Sequence, residues 1–501
     1  MSLDPDDLKK ATHLLEAIAA DRSLLASLGE DERIAFLAAA GRVANPERDA
    51  KARLAKKVRW ALQRTRREKD REARAASEIR TLRSATVFTA PALPPPAGEK
   101  SAPRRILEKP RHCYVCKAEY TELHFFYDTM CISCGDFNHA KRFLRAPLEG
   151  KTALITGGRV KIGYQASLMM LRSGAKVIVT TRFPHDAARR YAREPDFEAF
   201  GHRLQLHGLD LRHAPSVEVL AEHLLATEPR LDILINNAAQ TVRRPPGFYG
   251  HLLPGEVAPV EKELKFLLTG REELISRLND VSPADAALAP RWGSSDAALG
   301  VRSSAALSLV PYAMEKEGEV EKLFPLGRYD ADLQQVDLRQ VNSWRLKLGE
   351  VATAEMLEVH LVNAVAPFIL CGKLRPLLMK NRAEPGHVVN VSAMEGSFSR
   401  GTKTDKHPHT NMAKAALNML TLTSASDYAK DRVYMNAVDT GWVTDEDPVQ
   451  HATRKQEELD FSPPLDIVDG AARVIDPVFS AINTGQFVFG QFFKDYQPTK
   501  W

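Results

Sequence analysis

From residue 150 onward, short runs of apolar and β-branched residues alternate with longer amphipathic stretches. Runs of roughly four to eight such residues between turn signals predict buried strands, and the stretches between them predict helices. A strand–helix alternation sustained over this length predicts an α/β fold with a doubly wound parallel sheet. The predicted strands are 153–156, 176–181, 203–209, 232–236, 387–392, 432–438 and 486–489.

The pattern is different upstream of the sheet. Residues 4–44 predict short helices, and residues 49–83 predict one long charged helix. A Pro-rich stretch after them predicts an extended, semi-rigid linker. We therefore divide the chain into a helical basic region at 1–88, a linker at 89–109, a small cysteine module at 110–147 and a sheet domain at 148–501.

One long segment interrupts the alternation within the sheet domain. Residues 244–345 separate the fourth predicted strand from the next recognisable helix, and they contain Pro, Gly and Ala-Ser tracts such as 293–295 and 303–306. Their place near the carboxyl ends of the strands is where open α/β sheets bind ligands. We expect an insertion that forms a lid or a substrate-shaping subdomain, with a decorative insertion or an oligomer contact as the alternative.

Composition narrows the class of protein. The chain has 501 residues, of which 44% are apolar and 27% charged, as in a soluble globular protein of two or three domains. No run approaches the roughly 18 apolar residues of a membrane span, and the acidic start is unlike a signal peptide. We therefore expect a cytoplasmic protein that does not enter a membrane.

Positive charge is concentrated in residues 51–83. This segment holds 13 Lys or Arg and 4 Asp or Glu, a net charge of +9, which leaves −4 for the rest of a chain whose net charge is +5. A basic helix can contact an acidic protein surface or nucleic acid, or it can dock on its own protein. We favour a protein partner over nucleic acid, because Trp60 is the one aromatic residue available there for base stacking.

Four of the five cysteines form two close pairs. Cys113-x-x-Cys116 and Cys131-x-x-Cys134 are separated by fourteen residues. Each pair can place two thiolates on one turn, and two such turns make a closed tetrahedral site for structural Zn²⁺, with a redox pair or unused thiols as the alternatives. Four thiolates leave no open position for catalysis, so the module serves to recognise a protein partner or to brace the sheet.

A glycine loop follows the first strand of the sheet domain. The run Thr156-Gly-Gly-Arg-Val-Lys-Ile-Gly163 stands between a strand and a helix, as in a Rossmann-type unit that presents a helix N-terminus to a dinucleotide phosphate. With the landmarks that come after it, the chain resembles the short-chain dehydrogenase/reductase family over about 150–243 and 350–490. The landmarks after the loop are Asp210, the run Asn236-Asn237-Ala238-Ala239, Asn363 in 362–368, and 436–443.

The resemblance implies a nicotinamide cofactor. The family's NAD users carry a carboxylate at the end of the second strand, where this chain has Arg182. Together with Arg159 and Lys161, this arginine favours NADP(H) over NAD(H), because guanidinium groups suit a 2′-phosphate. Lys161 stands where the family has a glycine, so it either neutralises phosphate or weakens cofactor binding. The implied cofactor-binding residues are Thr156, Gly157, Arg159, Lys161, Ile162, Gly163, Arg182, Asp210, Asn237, Ala238, Lys414, Gly441 and Thr444.

The family's catalytic serine and tyrosine are both replaced. The tyrosine position of Tyr-x-x-x-Lys is Thr410, and the serine position is Ala393, with Ser392 one residue earlier. An aliphatic hydroxyl has too high a pKa to replace a tuned phenol as a proton donor. Lys414 and Asn363 remain, so the candidate catalytic residues are Lys414, Asn363, Thr410 and Ser392. Nearby residues that could substitute for the lost acid are Glu395, Asp405, Lys406, His407 and His409.

Two functions are compatible with these residues. The first is an NADP(H)-binding oxidoreductase of short-chain dehydrogenase type that acts on an unknown carbonyl or alcohol substrate with a non-standard proton donor. The second is a catalytically inactive pseudo-dehydrogenase that senses a nucleotide and reports it to a protein partner through the cysteine module and the basic helix. Many members of the family are dimers or tetramers, so the resemblance also raises the expectation of a homo-oligomer.

Overall fold

The computed structural model of the protein describes residues 4–46, 48–85, 87–90, 105–280, 298–311, 320–381 and 383–501. By its internal contacts the chain divides into two compact units, Met1–Asp70 and Arg71–Trp501. The first unit contains α1 (Pro5–Ala20), a 3₁₀ turn (Arg22–Ser27), α2 (Glu30–Ala44) and most of α3 (Arg48–Ala75), which continues into the second unit.

The helices of the first unit bury few of their side chains. Leu25 is buried, but most of the large apolar residues along these helices are exposed. The exposed residues include Leu8, Leu14, Leu15, Leu24, Ile34, Leu37, Leu54, Val58, Trp60 and Leu62.

The prediction of one continuous helix over 49–83 is wrong. The long helix ends at Ala75, and a second helix, α4 (Glu78–Ser84), begins after a turn. Ser77 is fully buried in this turn and its hydroxyl donates to the carbonyl oxygen of Arg74 at 2.7 Å. The turn directs Ile79 into the apolar core of the cysteine module, so tertiary burial overrides local helix propensity here.

The cysteine module is a small hairpin followed by a helix. Strands β1 (Arg105–His112) and β2 (Glu119–Leu123) pair antiparallel, and α5 (Ile132–Lys141) carries the second cysteine pair at its start. The first strand begins within the predicted linker 89–109, of which residues 91–104 lie outside the described part of the chain.

The sheet domain is doubly wound, as predicted. Its strands are β3 (Thr152–Thr156), β4 (Lys176–Thr181), β5 (Leu204–Gly208), β6 (Ile233–Asn236), β7 (Gly386–Ser392), β8 (Val433–Asp439), β9 (Phe492–Lys494) and β10 (Gln497–Thr499). Within the described residues they form one sheet in the order β10-β9-β8-β7-β6-β3-β4-β5, parallel except for β10. The strand order reverses between β3 and β6, which is the point where such sheets bind ligands.

The central strands are buried on both faces. In β3, Ala153 and Ile155 point into one apolar cluster while Leu154 points into another. Strands that are buried on both faces consist of continuous apolar runs, which is why the pattern of apolar residues predicted their positions. The helices of the sheet domain are α6 (Lys161–Leu171), α7 (Pro184–Tyr191), α8 (Phe197–Phe200), α9 (Ala214–Thr227), α10 (Pro246–Tyr249), α11 (Leu253–Val257), α12 (Thr269–Asp280), α13 (Leu299–Arg302), α14 (Val320–Leu323), α15 (Thr353–His360), α16 (Ala366–Leu378), α17 (Pro408–Lys430), α18 (Val449–Leu459) and α19 (Ile467–Thr484).

The predicted last strand at 486–489 is not a strand. The side chain of Phe487 stacks on Tyr434, with ring centroids 5.1 Å apart, and Gly490 has a left-handed φ of 66° that turns the chain. Pairing with β8 begins only after this turn, at Phe492. Phe487 and Phe489, whose alternation suggested a strand, pack instead on residues at the ends of β7 and β8.

One helical stretch among the described residues is long and apolar enough to cross a membrane, by length and composition alone. It is Thr353–Leu378, and half of its most apolar window is buried inside the protein. It consists of α15, a π-helical segment and α16, and it packs on α9 and the sheet, which accounts for its apolar composition.

The structure places the predicted insertion beside the sheet. Residues 281–297 and 312–319 of it, including the predicted tract 293–295, lie outside the described part of the chain. The rest forms the short helices α10 to α14 and irregular segments. Several of its side chains reach the cavity at the carboxyl ends of the strands.

Candidate functional site

A single large cavity of about 1510 Å³ opens at the carboxyl ends of the strands in the described part of the chain. It is lined by residues that follow β3, β4, β5, β6, β7 and β8, by residues of the insertion, and by residues of the cysteine module. This volume exceeds that of a typical small-ligand pocket, so the cavity has room for a dinucleotide and a second small molecule.

The glycine loop (residues 157–160) is held against the end of β6. The Thr156 hydroxyl accepts hydrogen bonds from the backbone amides of Asn237 and Ala238 at 3.1 and 3.0 Å. The Asn237 side chain donates in return to the Thr156 carbonyl oxygen at 2.9 Å. Gly163 permits this packing, because a Cβ there would lie 2.3 Å from the Gly157 carbonyl oxygen.

Lys161 occupies a strained backbone conformation. Its φ is +56°, in the left-handed region where a residue with a Cβ is disfavoured by roughly 1–2 kcal/mol. The backbone therefore keeps the shape that a glycine would adopt, although the residue is lysine. Its ammonium lies near two carboxyl groups: burial raises the pKa of Asp332 while Lys161 lowers it, and Lys161 also helps to hold the pKa of Glu446 below its usual range against the effect of burial.

The N-terminus of α6 can receive an anion. Its N-cap, Val160, makes no side-chain capping bond, and its first turn carries no acidic residue. The first amides of a helix without a cap are unsatisfied donors, and the helix dipole favours negative charge there. This end of α6 therefore fits a cofactor phosphate.

Arg182 carries its charge on the wall of the cavity without a carboxylate partner among the described residues. Its guanidinium donates to Tyr249 Oη at 2.8 Å and to Ser308 Oγ at 3.1 Å, and it stacks 4.6 Å from the Tyr249 ring centroid. Both partners belong to the insertion. Because they are neutral, they orient the guanidinium and leave its charge available for an anion.

Two other predicted cofactor residues are held in ion pairs. Arg159 is buried and donates to Asp186 at 2.5 Å; burial lowers the pKa of Arg159 and the Asp186 carboxylate opposes this effect. The Asp210 carboxylate accepts hydrogen bonds from the backbone amide and the guanidinium of Arg212, and these hold the pKa of Asp210 below its usual range although burial acts in the opposite direction. Both line the cavity, but Arg159 does not offer the free positive charge that the sequence suggested.

Gly441 and Thr444 follow β8 on the opposite wall of the cavity. Gly441 has a left-handed φ of 76°, and Thr444 donates to Glu446 Oε1 at 2.7 Å. The structure thus brings every predicted cofactor residue to the cavity or to the packing directly behind it.

Lys414 is a titratable residue that lines the cavity beside β7. It is buried, and its ammonium donates to the Val391 carbonyl oxygen at 2.7 Å. Burial lowers the pKa of Lys414 to about 8, while the nearby carboxyl groups of Glu395 and Asp439 act to raise it. A cation with this pKa can give up a proton near neutral pH.

The two hydroxyl groups beside Lys414 do not form a proton relay with it. Ser392 donates to the Asn418 side chain, one turn further along α17. The Thr410 hydroxyl is buried and has no hydrogen-bond partner among the described residues. Both line the cavity.

Asn363 lies in a π-helical turn, Leu361–Val365, between α15 and α16. Its side chain accepts from the backbone amide of Gln240 at 2.7 Å and donates to the carbonyl oxygen of the same residue at 3.0 Å. Such single π turns often occur at functional sites. Through the Asn363 side chain, this turn is attached to the loop that follows β6.

The two histidines that could replace the lost acid are placed differently. His407 lines the cavity and stacks on Trp344 of the insertion, with ring centroids 3.9 Å apart. His409 is buried, and burial lowers its pKa to about 4, which leaves it uncharged near neutral pH. Of the other candidates, Glu395 and Lys406 line the cavity, whereas Asp405 is an exposed partner of Lys347.

The sequence did not indicate two residues of the site, Lys494 and Tyr114, and it placed Asp439 in the landmark run 436–443 without giving it a role of its own. Asp439 ends β8 opposite Ser392 of β7, and burial raises its pKa. Lys494 of β9 lies 3.4 Å from that carboxylate. Tyr114, between the first two cysteines, also lines the cavity. The residue pattern could have indicated Asp439 as a strand end, but the other two depend on long-range packing.

The four predicted metal ligands lie together. The Sγ atoms of Cys113, Cys116, Cys131 and Cys134 are all within 4.8 Å of one another, and those of Cys116 and Cys131 are 3.7 Å apart. A tetrahedral zinc site with Zn–S bonds of about 2.3 Å places its sulfur atoms about 3.8 Å apart. The donor set and its spacing therefore fit a structural metal ion.

Of the histidines near the cysteines, His124 is predicted from the sequence to lie at the surface, and this prediction is wrong. It is buried, and its Nδ1 accepts from the backbone amides of Phe126 and Tyr127 at 3.0 and 3.2 Å. A Cβ on Gly135 would lie 2.5 Å from its ring, so this glycine makes room for the histidine.

Two family models match the chain, on either side of the insertion. One is described as short chain dehydrogenase and matches residues 151–248; the other is described as Enoyl-(Acyl carrier protein) reductase and matches residues 341–462. The doubly wound sheet has a glycine loop at its switch point. This arrangement defines an α/β protein of the dinucleotide-binding type. The chain belongs to the short-chain dehydrogenase/reductase family.

Several proteins are similar to the chain. Uncharacterized protein R665 of Acanthamoeba polyphaga mimivirus is 31% identical over 386 residues, which cover 74% of this chain and 71% of that protein. Human retinol dehydrogenase 13 is 33% identical over 94 residues, which cover 19% of this chain but only 28% of that protein.

Solved structures are similar at a lower level. The carbonyl reductase Sniffer of D. melanogaster matches with a TM-score of 0.41 and 17% identity, over 70% of this chain and 99% of that one. The Pseudomonas aeruginosa RhlG/NADP active-site complex matches with a TM-score of 0.41 and 18% identity, over 69% of this chain and 94% of that one.

Proposed function

We propose that the protein is an NADP(H)-dependent oxidoreductase of short-chain dehydrogenase type, acting on a carbonyl or alcohol substrate, in which Lys414 takes the place of the missing tyrosine as proton donor. The observation that carries this proposal is the buried Lys414 ammonium, whose pKa is lowered to about 8, at the end of a cavity that also holds Arg182.

Two parts of the site are suited to hold the cofactor phosphates, because one offers free backbone N–H donors and the other offers a positive charge. The uncapped N-terminus of α6 would receive the diphosphate, and Arg182 would receive the 2′-phosphate that distinguishes NADP(H) from NAD(H). When bound, the cofactor supplies or accepts the hydride. Gly441 and Thr444 would line its nicotinamide end.

Lys414 would supply the proton to the substrate oxygen during carbonyl reduction. Its ammonium uses one N–H on the Val391 carbonyl and keeps two for a substrate oxygen and a neighbour. The carboxyl groups of Glu395 and Asp439, when ionised, would stabilise the charged form of Lys414. Asn363 would keep the Gln240 backbone, and so the wall of the cavity, in position.

We also propose that the four cysteines hold a structural Zn²⁺. All four ligands are protein thiolates, so the ion would fix the fold of the module and take no part in the chemistry.

A second candidate is the pseudo-dehydrogenase, and a specific observation favours it. The hydroxyl at the tyrosine position, Thr410 Oγ1, is buried without a described partner, and Lys161 faces Asp332 and Glu446 where phosphate would bind. Carboxylates beside a phosphate site oppose an anionic cofactor. In this case the protein would bind a nucleotide weakly and turn nothing over.

The first experiment is calorimetric titration of NADPH and of NADH into the metal-loaded protein, with Arg182→Ala as the variant. Arg182→Lys is the matched control, since it keeps the charge and loses the planar fork. We expect NADPH to bind more tightly than NADH, and we expect Arg182→Ala to remove about 2 kcal/mol of that preference, the strength of a charge-assisted hydrogen bond.

Turnover then separates the two candidates. The wild-type protein and Lys414→Met are assayed for NADPH oxidation with a panel of aldehydes and ketones. Activity that is lost in Lys414→Met supports the oxidoreductase. NADPH binding without turnover of any compound supports the pseudo-dehydrogenase, and no nucleotide binding by the wild-type protein contradicts both.

A further inference from the structure

Tyr114 projects from the cysteine module into the wall of the cavity. It lies between Cys113 and Cys116, on the turn that carries the first two thiolates. Its hydroxyl accepts a hydrogen bond from the backbone amide of Trp442 at 3.1 Å. A Cβ on Gly441 would lie 3.1 Å from the same hydroxyl, so the tyrosine is packed directly against the segment that follows β8.

The register of the sheet locates Tyr114 at the Lys414 end of the cavity. Ser392 pairs with Asp439 across β7 and β8, and Asp439 pairs with Lys494 across β8 and β9. The Lys494 ammonium lies 5.4 Å from the centroid of the Tyr114 ring. Tyr114 is therefore on the side of the ends of β7 and β8, where Ser392 lies and where Lys414 bonds Val391, whereas Arg182 follows β4, on the far side of the switch point.

The module is fastened to this wall by buried contacts. Arg142 of the module donates to Asp466 and Asp469 at the start of α19, at distances between 2.7 and 2.9 Å. Tyr127 donates to Asp469 at 2.5 Å. All of these side chains are buried, so the module and the first turn of α19 form one polar core.

The apolar core of the module continues into the nucleotide site. Its buried cluster includes Val443, in the segment after β8, and Leu465, just before α19, and Ile162 of α6 packs against the same cluster. The cysteines that would bind the metal are therefore connected, through packed side chains, to the helix that follows the glycine loop.

We propose that the four-cysteine module completes the nicotinamide end of the nucleotide site, with Tyr114 as a contact residue for the nicotinamide. This inference rests on the proposed NADP(H) function and adds a binding residue to it. The metal would hold the turn that carries Tyr114, so loss of the metal would weaken binding of the nicotinamide half of the cofactor more than binding of its adenosine half.

The test compares two ligands that differ in one half. NADPH carries both halves, and 2′,5′-ADP carries the adenosine and the 2′-phosphate without the nicotinamide. Calorimetric titrations of both are made with the wild-type protein, with Tyr114→Ala and with Tyr120→Phe, and the zinc content of each protein is measured by release to a colorimetric chelator. Tyr120 is the matched control, because its hydroxyl donates to the Asp128 carbonyl oxygen inside the module at 3.0 Å.

We expect Tyr114→Ala to retain its zinc, to bind NADPH about tenfold more weakly and to bind 2′,5′-ADP as the wild type does. Tyr120→Phe should bind both ligands unchanged. Equal weakening of both ligands in Tyr114→Ala, or no weakening of either, overturns the inference. If the wild-type protein binds neither ligand, the proposed NADP(H) function itself has failed, which is a different result.

A second measurement does not depend on the folding of a variant. Zinc is removed from the wild-type protein with a chelator, and the two titrations are repeated before and after zinc is restored. We expect NADPH binding to weaken and to recover with zinc, while 2′,5′-ADP binding stays within about twofold throughout. Unchanged NADPH binding in the zinc-free protein contradicts the inference even if Tyr114→Ala is unstable.

Discussion

At the scale of single residues, the charges of the site depend on partners that are distant in the chain. Arg159 lies in the glycine loop and Arg182 follows β4, and both line the cavity, yet Arg159 is buried against Asp186 while Arg182 is held by two neutral hydroxyl groups. The two arginines are equivalent in the sequence, and only the second keeps a charge that is free to meet a phosphate. Charge counting along the chain therefore overestimates the positive potential of the site.

Replacing Lys161 by glycine should stabilise the protein. The backbone already has a φ of +56°, so Lys161→Gly removes the strain of a left-handed Cβ, about 1 kcal/mol, part of which is offset by the greater freedom of glycine in the unfolded chain. We expect a net gain of about 0.5 kcal/mol in the free energy of unfolding, measured by urea denaturation. Lys161→Ala is the matched control: it removes the ammonium but keeps the Cβ, and it should give no such gain.

The activity of the protein should decrease as the pH rises through about 8. The pKa of Lys414 is lowered by burial to about 8, and reduction of a carbonyl needs the protonated ammonium. We expect kcat for carbonyl reduction to be constant below this pH and to fall about tenfold per pH unit above it. Lys414→Arg, which stays charged throughout, should have low activity without this dependence; a fall at the same pH in the variant would contradict the assignment.

Burial of Lys414 should also reduce stability. The folded protein binds this proton less tightly than the unfolded chain, since the pKa is lowered from 10.5 to about 8. The free energy of unfolding is therefore reduced at every pH below about 8 and recovers as the pH rises toward 10.5. We expect Lys414→Met to gain about 2 kcal/mol at pH 7, because about 3 kcal/mol of burial cost is relieved and the Val391 carbonyl loses a bond worth about 1 kcal/mol.

At the scale of secondary-structure elements, the close approach between α6 and the end of β6 determines the shape of the glycine loop. Gly163 lies where the Gly157 carbonyl oxygen and the Asn237 side chain meet the first turn of the helix. Helix α16 also contains a glycine, Gly372, but a Cβ there would touch nothing within 4 Å. The two residues are the same in type and in secondary structure, and only their surroundings differ.

These two glycines give a matched pair of substitutions. Gly163→Ala should lower the free energy of unfolding by about 2–4 kcal/mol, because its Cβ would lie 2.3 and 2.4 Å from neighbouring atoms. Gly372→Ala should raise it by about 0.5–1 kcal/mol, because alanine is the better helix former. Thermal and urea denaturation of both variants measure the difference, and similar effects in the two would show that the contact around Gly163 is not tight.

At the scale of the whole molecule, the cysteine module and the sheet domain share one buried polar core. Arg142 bonds Asp466 and Asp469, Arg473 donates to Asn138 of α5 at 2.6 Å, and all of these groups are buried. Buried charges are stable only when they are paired, so the module cannot leave the sheet without exposing or orphaning them. The predicted module is therefore an integral part of the sheet domain.

Removal of Arg142 should reveal this dependence. Arg142→Met keeps the volume of the side chain but leaves two buried carboxyl groups without their cation, which should cost about 3–5 kcal/mol. Arg375→Met, which breaks a more exposed pair with Asp427 and Asp431, should cost less than about 1 kcal/mol. Urea denaturation measures both, and an equal cost for the two variants would contradict the role of the buried core.

The amino-acid pattern alone was enough to predict the order of most strands along the chain, the glycine loop, the cysteine pairs and membership of the family. These depend on local periodicity and on short spacings, which the chain shows whatever its tertiary contacts. It did not indicate the break before α4, the position of the last strands or the presence of Tyr114 in the cavity. The first follows from the burial of Ile79, and the last joins residues 114 and 442, which no local pattern relates.

Tertiary contacts determine which of the candidate groups is free to exchange a proton or to contact an anion. Lys414 has the pKa of a proton donor because the fold removes it from water, and Arg159 is unavailable because the fold places Asp186 beside it. Desolvation and ion pairing are set by neighbours that are distant in sequence, so residue type alone cannot predict them. The sequence thus determined what kind of protein this is, and the packing of its charges decided how its site differs from that of the family.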